Sequence, residues 1–112
     1  MSRNSNSMSM RDRCLYLGGY FFQDPRMKRL KGRDHGFKMA AMYMIAFANA
    51  MESGGVITKD PRLSLEEHVA ILIDAADDEI DDVRNMLQAC REEGLIVDDG
   101  KTIDFEGCWD LP

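Results

Sequence analysis

Six cations fall within thirteen residues: Arg26, Lys28, Arg29, Lys31, Arg33 and Lys38, with Phe21, Phe22 and Phe37 beside them. A stripe of that kind can neutralise phosphates and hold duplex DNA without reading its sequence. Its competing use is a solvated surface that balances acids elsewhere in the chain. Asn85 and Gln88 form a second candidate set, flanked by Arg84, because Asn and Gln can pair with adenine in a major groove. Lys101, at the tip of a hairpin, offers one further phosphate contact. The helix that carries Asn85 also carries carboxylates. At about 100° per residue, Asp78, Asp81, Asp82 and Glu92 share its outer side with Asn85. Four carboxylates facing phosphates would cancel much of the gain from counterion release. Asp81 and Asp82 therefore read either as a repelling face or as a protein interface.

Other chemistries find no support in the sequence. The acidic run DAADDEIDD lacks the alternating ligands, central Gly and terminal Glu of a calcium loop. His35 and His68 have no partner at ligand or catalytic spacing, and neither a Gly-rich phosphate loop nor a nucleophile elbow nor H-E-x-x-H occurs. The reading is a non-enzyme with no metal and no cofactor.

The 112 residues suit one domain with a real core. A net charge of −6 speaks against a dedicated nucleic-acid binder, but the average hides an asymmetry. Residues 1–50 hold nine Lys/Arg against three acids, a net of +6, and residues 51–112 hold five against seventeen, a net of −12. Such asymmetry suggests a polyanion partner, self-association, or a basic segment lying beside an acidic one in a monomer. Cys14, Cys90 and Cys108 make no disulfide set and no C-x-x-C pair, which points to a reducing, cytoplasmic setting. Cys90 falls on an apolar helix face and reads as core.

The elements that must position these residues follow from pattern. Residues 1–14 read as a disordered polar tail, with no signal peptide. Aromatic and apolar residues from Leu15 to Phe22 are candidates for burial. Asp24-Pro25 is a helix start, and RMKRLK a short basic helix with Met27 and Leu30 inward. Residues 37–53 form the plainest helix, with Phe37, Ala41, Met44, Phe47 or Ala48, and Met51 at helical spacing. Met39, Met42, Tyr43, Ile45 and Ala46 make it apolar nearly all round, though it is too short to span a membrane. Its surplus face is either covered within the monomer or a homodimer contact.

Gly54-Gly55 ends that helix and Val56-Ile57-Thr58 reads as a strand. Ser64 and Glu67 make a capping box for a helix of about ten residues. Asp77 or Asp78 caps the next helix, whose inner face is Ile80, Val83, Leu87 and Cys90 and whose end is Gly94. Leu95-Ile96-Val97 and Thr102–Phe105 then flank Asp99-Gly100 as a two-residue hairpin, with Asp98 opposite Lys101 and Ile96 opposite Ile103. The fold class is α+β, mostly α: a winged helix-turn-helix with a C-terminal β-hairpin wing over residues 15–106, followed by a tail at 107–112.

The ordered set resembles the N-terminal domain of phage replisome organiser proteins. It consists of YFFQDPRMKRLK, a long apolar helix ending in AMESGG, the strand VIT, the helix pair, and GLI before a hairpin built on DDG. The likeness runs from about Tyr16 to Phe105. It implies a winged helix related to DnaD-type primosomal proteins, acting in phage or prophage replication initiation. The implied partners are double-stranded DNA at an origin and the replicative helicase machinery. In this family a further C-terminal region serves assembly and helicase contact. The likeness here covers only the binding module.

Overall fold

A computed structural model describes Phe21 and residues 23–109 of the chain. It is α+β and mostly helical. In order come α1 (Pro25–Lys31), α2 (Gly36–Met51), β1 (Val56–Thr58), α3 (Leu65–Leu72), a 3₁₀ turn (Asp77–Glu79), α4 (Ile80–Glu93), β2 (Val97–Asp98), β3 (Thr102–Asp104) and a 3₁₀ turn (Glu106–Cys108). The three strands form one antiparallel sheet in the order β1-β3-β2. Among the described residues, no helix is long and apolar enough to cross a membrane.

Local chemistry accounts for most of the boundaries. Asp24 caps α1, its Oδ1 accepting from Arg26 N at 2.8 Å, and Pro25 takes the first helical position where a missing N–H costs nothing. Ser64 and Glu67 form the reciprocal box at the start of α3: Glu67 N donates to Ser64 Oγ at 3.1 Å, and Ser64 N to Glu67 Oε1 at 2.9 Å. The start of α4 differs from expectation. Neither Asp77 nor Asp78 caps it; Glu79 reaches back to accept from Ala76 N at 3.0 Å, and the acids open the helix as a 3₁₀ turn.

The chain leaves α2 through Gly54 and Gly55. Gly55 has φ +90 and its carbonyl accepts from both Phe105 N and Glu106 N, which ties the start of β1 to the end of β3. A Cβ at Gly55 would collide with the Glu106 side chain. This position requires glycine on both counts.

The hairpin register is shifted from the expected one. Val97 pairs with Asp104 and Asp98 with Ile103. The turn therefore centres on Gly100-Lys101, not Asp99-Gly100. Asp99 decides this: its Oδ1 accepts from Lys101 N at 2.9 Å and Thr102 N at 2.8 Å, and only Gly100 takes a positive φ in the loop.

The core joins Met27 and Leu30 of α1, one face of α2, Val69, the inner face of α4 (Val83, Met86, Leu87, Cys90), and Leu95, Ile103 and Phe105. Burial pushes the Cys90 thiol up to about 12, which keeps it protonated and inert. Two sequence expectations fail here. The phase of α2 is rotated: Met39, Tyr43, Ala46, Phe47 and Ala50 face inward, while Phe37 is 80% exposed. A helix without a polar side carries no periodic signal to fix its rotation. Residues 107–109 also do not belong to a tail, and residues 110–112 lie outside the described residues. Trp109 is 7% exposed and completes an aromatic cluster with Phe21, Tyr43, Phe47 and Phe105, its ring centroid 4.2 Å from that of Phe21. The expected tail at 1–14 and the aromatics at 15–20 and 22 lie outside the described residues.

Candidate functional site

The basic stripe lies on α1 and the start of α2, and α4 packs directly beside it. Arg26 is not a surface cation. Its Nε and Nη2 grip both oxygens of Asp24 at 3.0 Å, and its Nη1 donates to Gly94 O at 2.9 Å and Cys108 O at 2.8 Å. The guanidinium also stacks over Trp109, 4.7 Å from the ring centroid. The bond from Arg26 holds the Asp24 carboxyl below its usual range, against the opposing effect of burial. One side chain thus fastens the start of α1 to the end of α4 and to the closing 3₁₀ turn.

The next three cations close onto α4. Arg29 Nε donates to Glu93 Oε1 at 2.6 Å. Arg33 spans Glu92 Oε1 at 2.8 Å and Glu93 Oε2 at 2.9 Å. Lys38 Nζ sits 2.8 Å from Asp82 Oδ2 and 3.0 Å from Glu79 Oε2. Those two carboxylates raise the Lys38 ammonium above its ordinary value, Asp82 first. Hydrogen bonds from Arg29 and Arg33 in turn hold the Glu93 carboxyl low.

Exposed ion pairs of this kind add little stability each, about 0–1 kcal/mol. Their weight is electrostatic. Arg26, Arg29, Arg33 and Lys38 lie within 3.0 Å of five carboxylates, Asp24, Glu79, Asp82, Glu92 and Glu93, so four of the six cations of the stripe are already matched by acids, while Lys28 stays exposed beside them. A phosphate approaching the stripe competes with those carboxylates for four of its six cations. Part of the charge of the basic half is thus neutralised by acids of the second half within one domain.

The remaining predicted residues are scattered. Lys28 is exposed on α1, and Lys31 is half-buried and engaged. On α4, Arg84 pairs with Asp81 one turn earlier, Gln88 donates to Glu92 at 3.0 Å, and Asn85 is exposed without a side-chain partner among the described residues. Lys101 stands exposed on the hairpin at the far side of the sheet. Asp82 belongs to the Lys38 cluster and is not a free interface residue. Met39, Met42 and Tyr43, weighed as a dimer contact or as a face covered within the monomer, are 6%, 7% and 0% exposed and belong to this chain's own core. What α2 does present outward is Phe37, Ala41 and Ile45, spaced one turn apart.

Among the described residues no cluster of His, Cys, Asp and Glu is arranged to hold a metal ion. His68 instead accepts from Asp60 N through Nδ1 at 3.0 Å, which holds the connector before α3. Two open grooves flank α4. One, of about 540 Å³, lies between Arg33–Met39 and the outer side of α4 at Asn85–Glu92. The other, of about 330 Å³, lies between α3 and the turn into α4.

No family model, no curated protein and no solved structure matches this chain. Any functional reading therefore rests on the geometry above and on the resemblance carried by the sequence motifs. Sequence reasoning missed Arg26 as a fastener, Trp109 as core and the groove beside α3. The single tryptophan close behind the hairpin was the one available signal for the second.

Proposed function

We propose that this chain is a winged-helix module of the replisome-organiser type, working through contact with another protein of a replication-initiation assembly. Support for the fold comes from the order helix, strand, helix, helix, hairpin, with β1 joined to β3 across the sheet. The observation that carries the protein-contact reading is that Arg29, Arg33 and Lys38 of the basic stripe are each already paired with carboxylates of α4 and the turn before it. A major-groove reader needs its second helix neutral or basic, because phosphate neutralisation supplies most of the non-specific affinity.

The test is a fluorescence-anisotropy titration with a labelled duplex of about 30 base pairs at about 50 mM salt. The expected outcome is no saturable binding at micromolar protein. Saturable binding with a log–log salt slope near −4 or steeper, equivalent to about five phosphate contacts, overturns the reading.

A second reading keeps DNA as the partner, through the wing. Lys59 N donates to Lys101 O at 2.9 Å, so two lysines share that end of the sheet, with Lys101 exposed. Two phosphate contacts would give a slope of about −2. Binding of that shallow kind, abolished by Lys101→Ala, favours the wing.

A further inference from the structure

The groove of about 330 Å³ beside α3 arises from how that helix ends. Asp74 takes φ +55, its N–H bonding to Ile71 O at 3.2 Å, and Ala75 N reaches back to Ala70 O at 2.9 Å. This left-handed stop swings the chain away from the axis of α3. Residues 75–77 then form a wall facing Leu63 and Ile71, with Ala70 and Ile80 at the base. Because Ala75 and Ala76 are small, the space between the walls stays open. Ile71 stands 67% exposed on the rim of the groove.

The groove's charge has one sign. No Lys or Arg occurs between Arg62 and Arg84, while eight acids do. Glu67 and Asp77 line the groove. Asp74, Asp77 and Asp78 are exposed, and their side chains make no hydrogen bond or ion pair with any described residue. A slot rimmed by carboxylates, of which Asp77 has no partner among the described residues and Glu67 accepts from Ser64 N, complements an apolar side chain flanked by cations. Nucleic acid and acidic segments are repelled by it.

We propose that this groove docks a basic amphipathic segment of a partner protein. One aliphatic side chain fills the slot against Ile71 and Ala75, and Lys or Arg residues of the segment lie over Glu67 and Asp77. The proposal rests on the protein-contact reading and gives it a surface and a ligand chemistry. The slot supplies specificity by displacing loosely held water, and the carboxylates steer the encounter.

The probe is a synthetic helical peptide with Leu on one face and Lys on the other, titrated into the ¹⁵N-labelled chain and followed by amide shifts. The expected result is a set of shifts centred on Leu63, Ile71, Ala75 and Ile80. Exchanging the peptide's Leu for Ser should weaken binding about tenfold or more, and Ile71→Ser in the protein should do the same. Asp74→Asn with Asp77→Asn should weaken it several-fold, most at low salt. Both sites are exposed, and the spectrum of each variant reports its fold directly.

Equal binding of the Ser peptide would mean attraction by charge alone, and overturns the proposal. So does an absence of shifts at millimolar peptide, a response centred on Phe37 and Ile45, or concentration-dependent self-association that occupies the slot. The duplex titration on the same sample separates the two levels. DNA binding without peptide binding removes the protein-contact reading itself, whereas peptide binding elsewhere removes only the groove.

Discussion

Tyr43 concentrates more of the fold than any other side chain. Its hydroxyl donates to Leu95 O at 2.7 Å and accepts from Trp109 Nε1 at 2.8 Å, all within the buried aromatic cluster. Burial raises the phenol well above its ordinary value, so it stays a donor at any physiological pH. Tyr43→Phe keeps the ring and strands both partners, a cost of about 1–3 kcal/mol. In urea unfolding the midpoint should fall with the slope unchanged. Single residues were only partly legible in the sequence. The Asp24 cap and the Ser64–Glu67 box are local and were read correctly. Two of the partners of Arg26, the carbonyls of Gly94 and Cys108, stand 68 and 82 residues away and leave no local trace.

At the scale of elements, junctions matter more than interiors. Gly36 opens α2 directly against the end of α1, where a Cβ would strike the carbonyls of Leu30 and Lys31. These are backbone atoms and cannot rotate away. Gly36→Ala should therefore cost about 1–3 kcal/mol despite alanine's better helix propensity, a reversal measurable by thermal melting. The helices, β1 and the hairpin could be anticipated, because caps, glycines and period 3.6 recur in the sequence, whereas the pairing of β1 with β3 was not anticipated. Rotation of α2 and register of the hairpin could not be. The first has no polar side to mark it, and the second turns on an Asp99 side chain competing with the usual Asp-Gly turn.

Over the whole molecule, the contact between basic and acidic segments makes stability depend on pH. Glu93 is held low by Arg29 and Arg33, Glu92 by Gln88 and Arg33, and Glu79 by Ala76 N and Lys38. Because folded carboxyls are depressed below their unfolded values, the unfolded chain binds more protons in acid. Their contribution is complete above the ordinary glutamate range and is lost as pH falls through the folded values. Melting temperature should be flat from about pH 6 to 8 and drop below about pH 5. Glu93→Gln should flatten that acid limb. The charge asymmetry was visible in the sequence, but which use it served depended on α4 lying beside α1, a long-range fact.

The position of Trp109 carries a consequence for the order of events in synthesis. A ribosome delivers α2 early, apolar on nearly every side, and the residue that seals the aromatic cluster over it comes at the very end of the described chain. Until residue 109 has emerged, Tyr43 lacks the Trp109 donor on its oxygen and Phe21 lacks one of the rings packed against it. The domain is therefore forced to complete its core late, with an adhesive helix waiting. Nascent chains halted before Trp109 should bind hydrophobic-dye probes and chaperones, and chains released just past it should not.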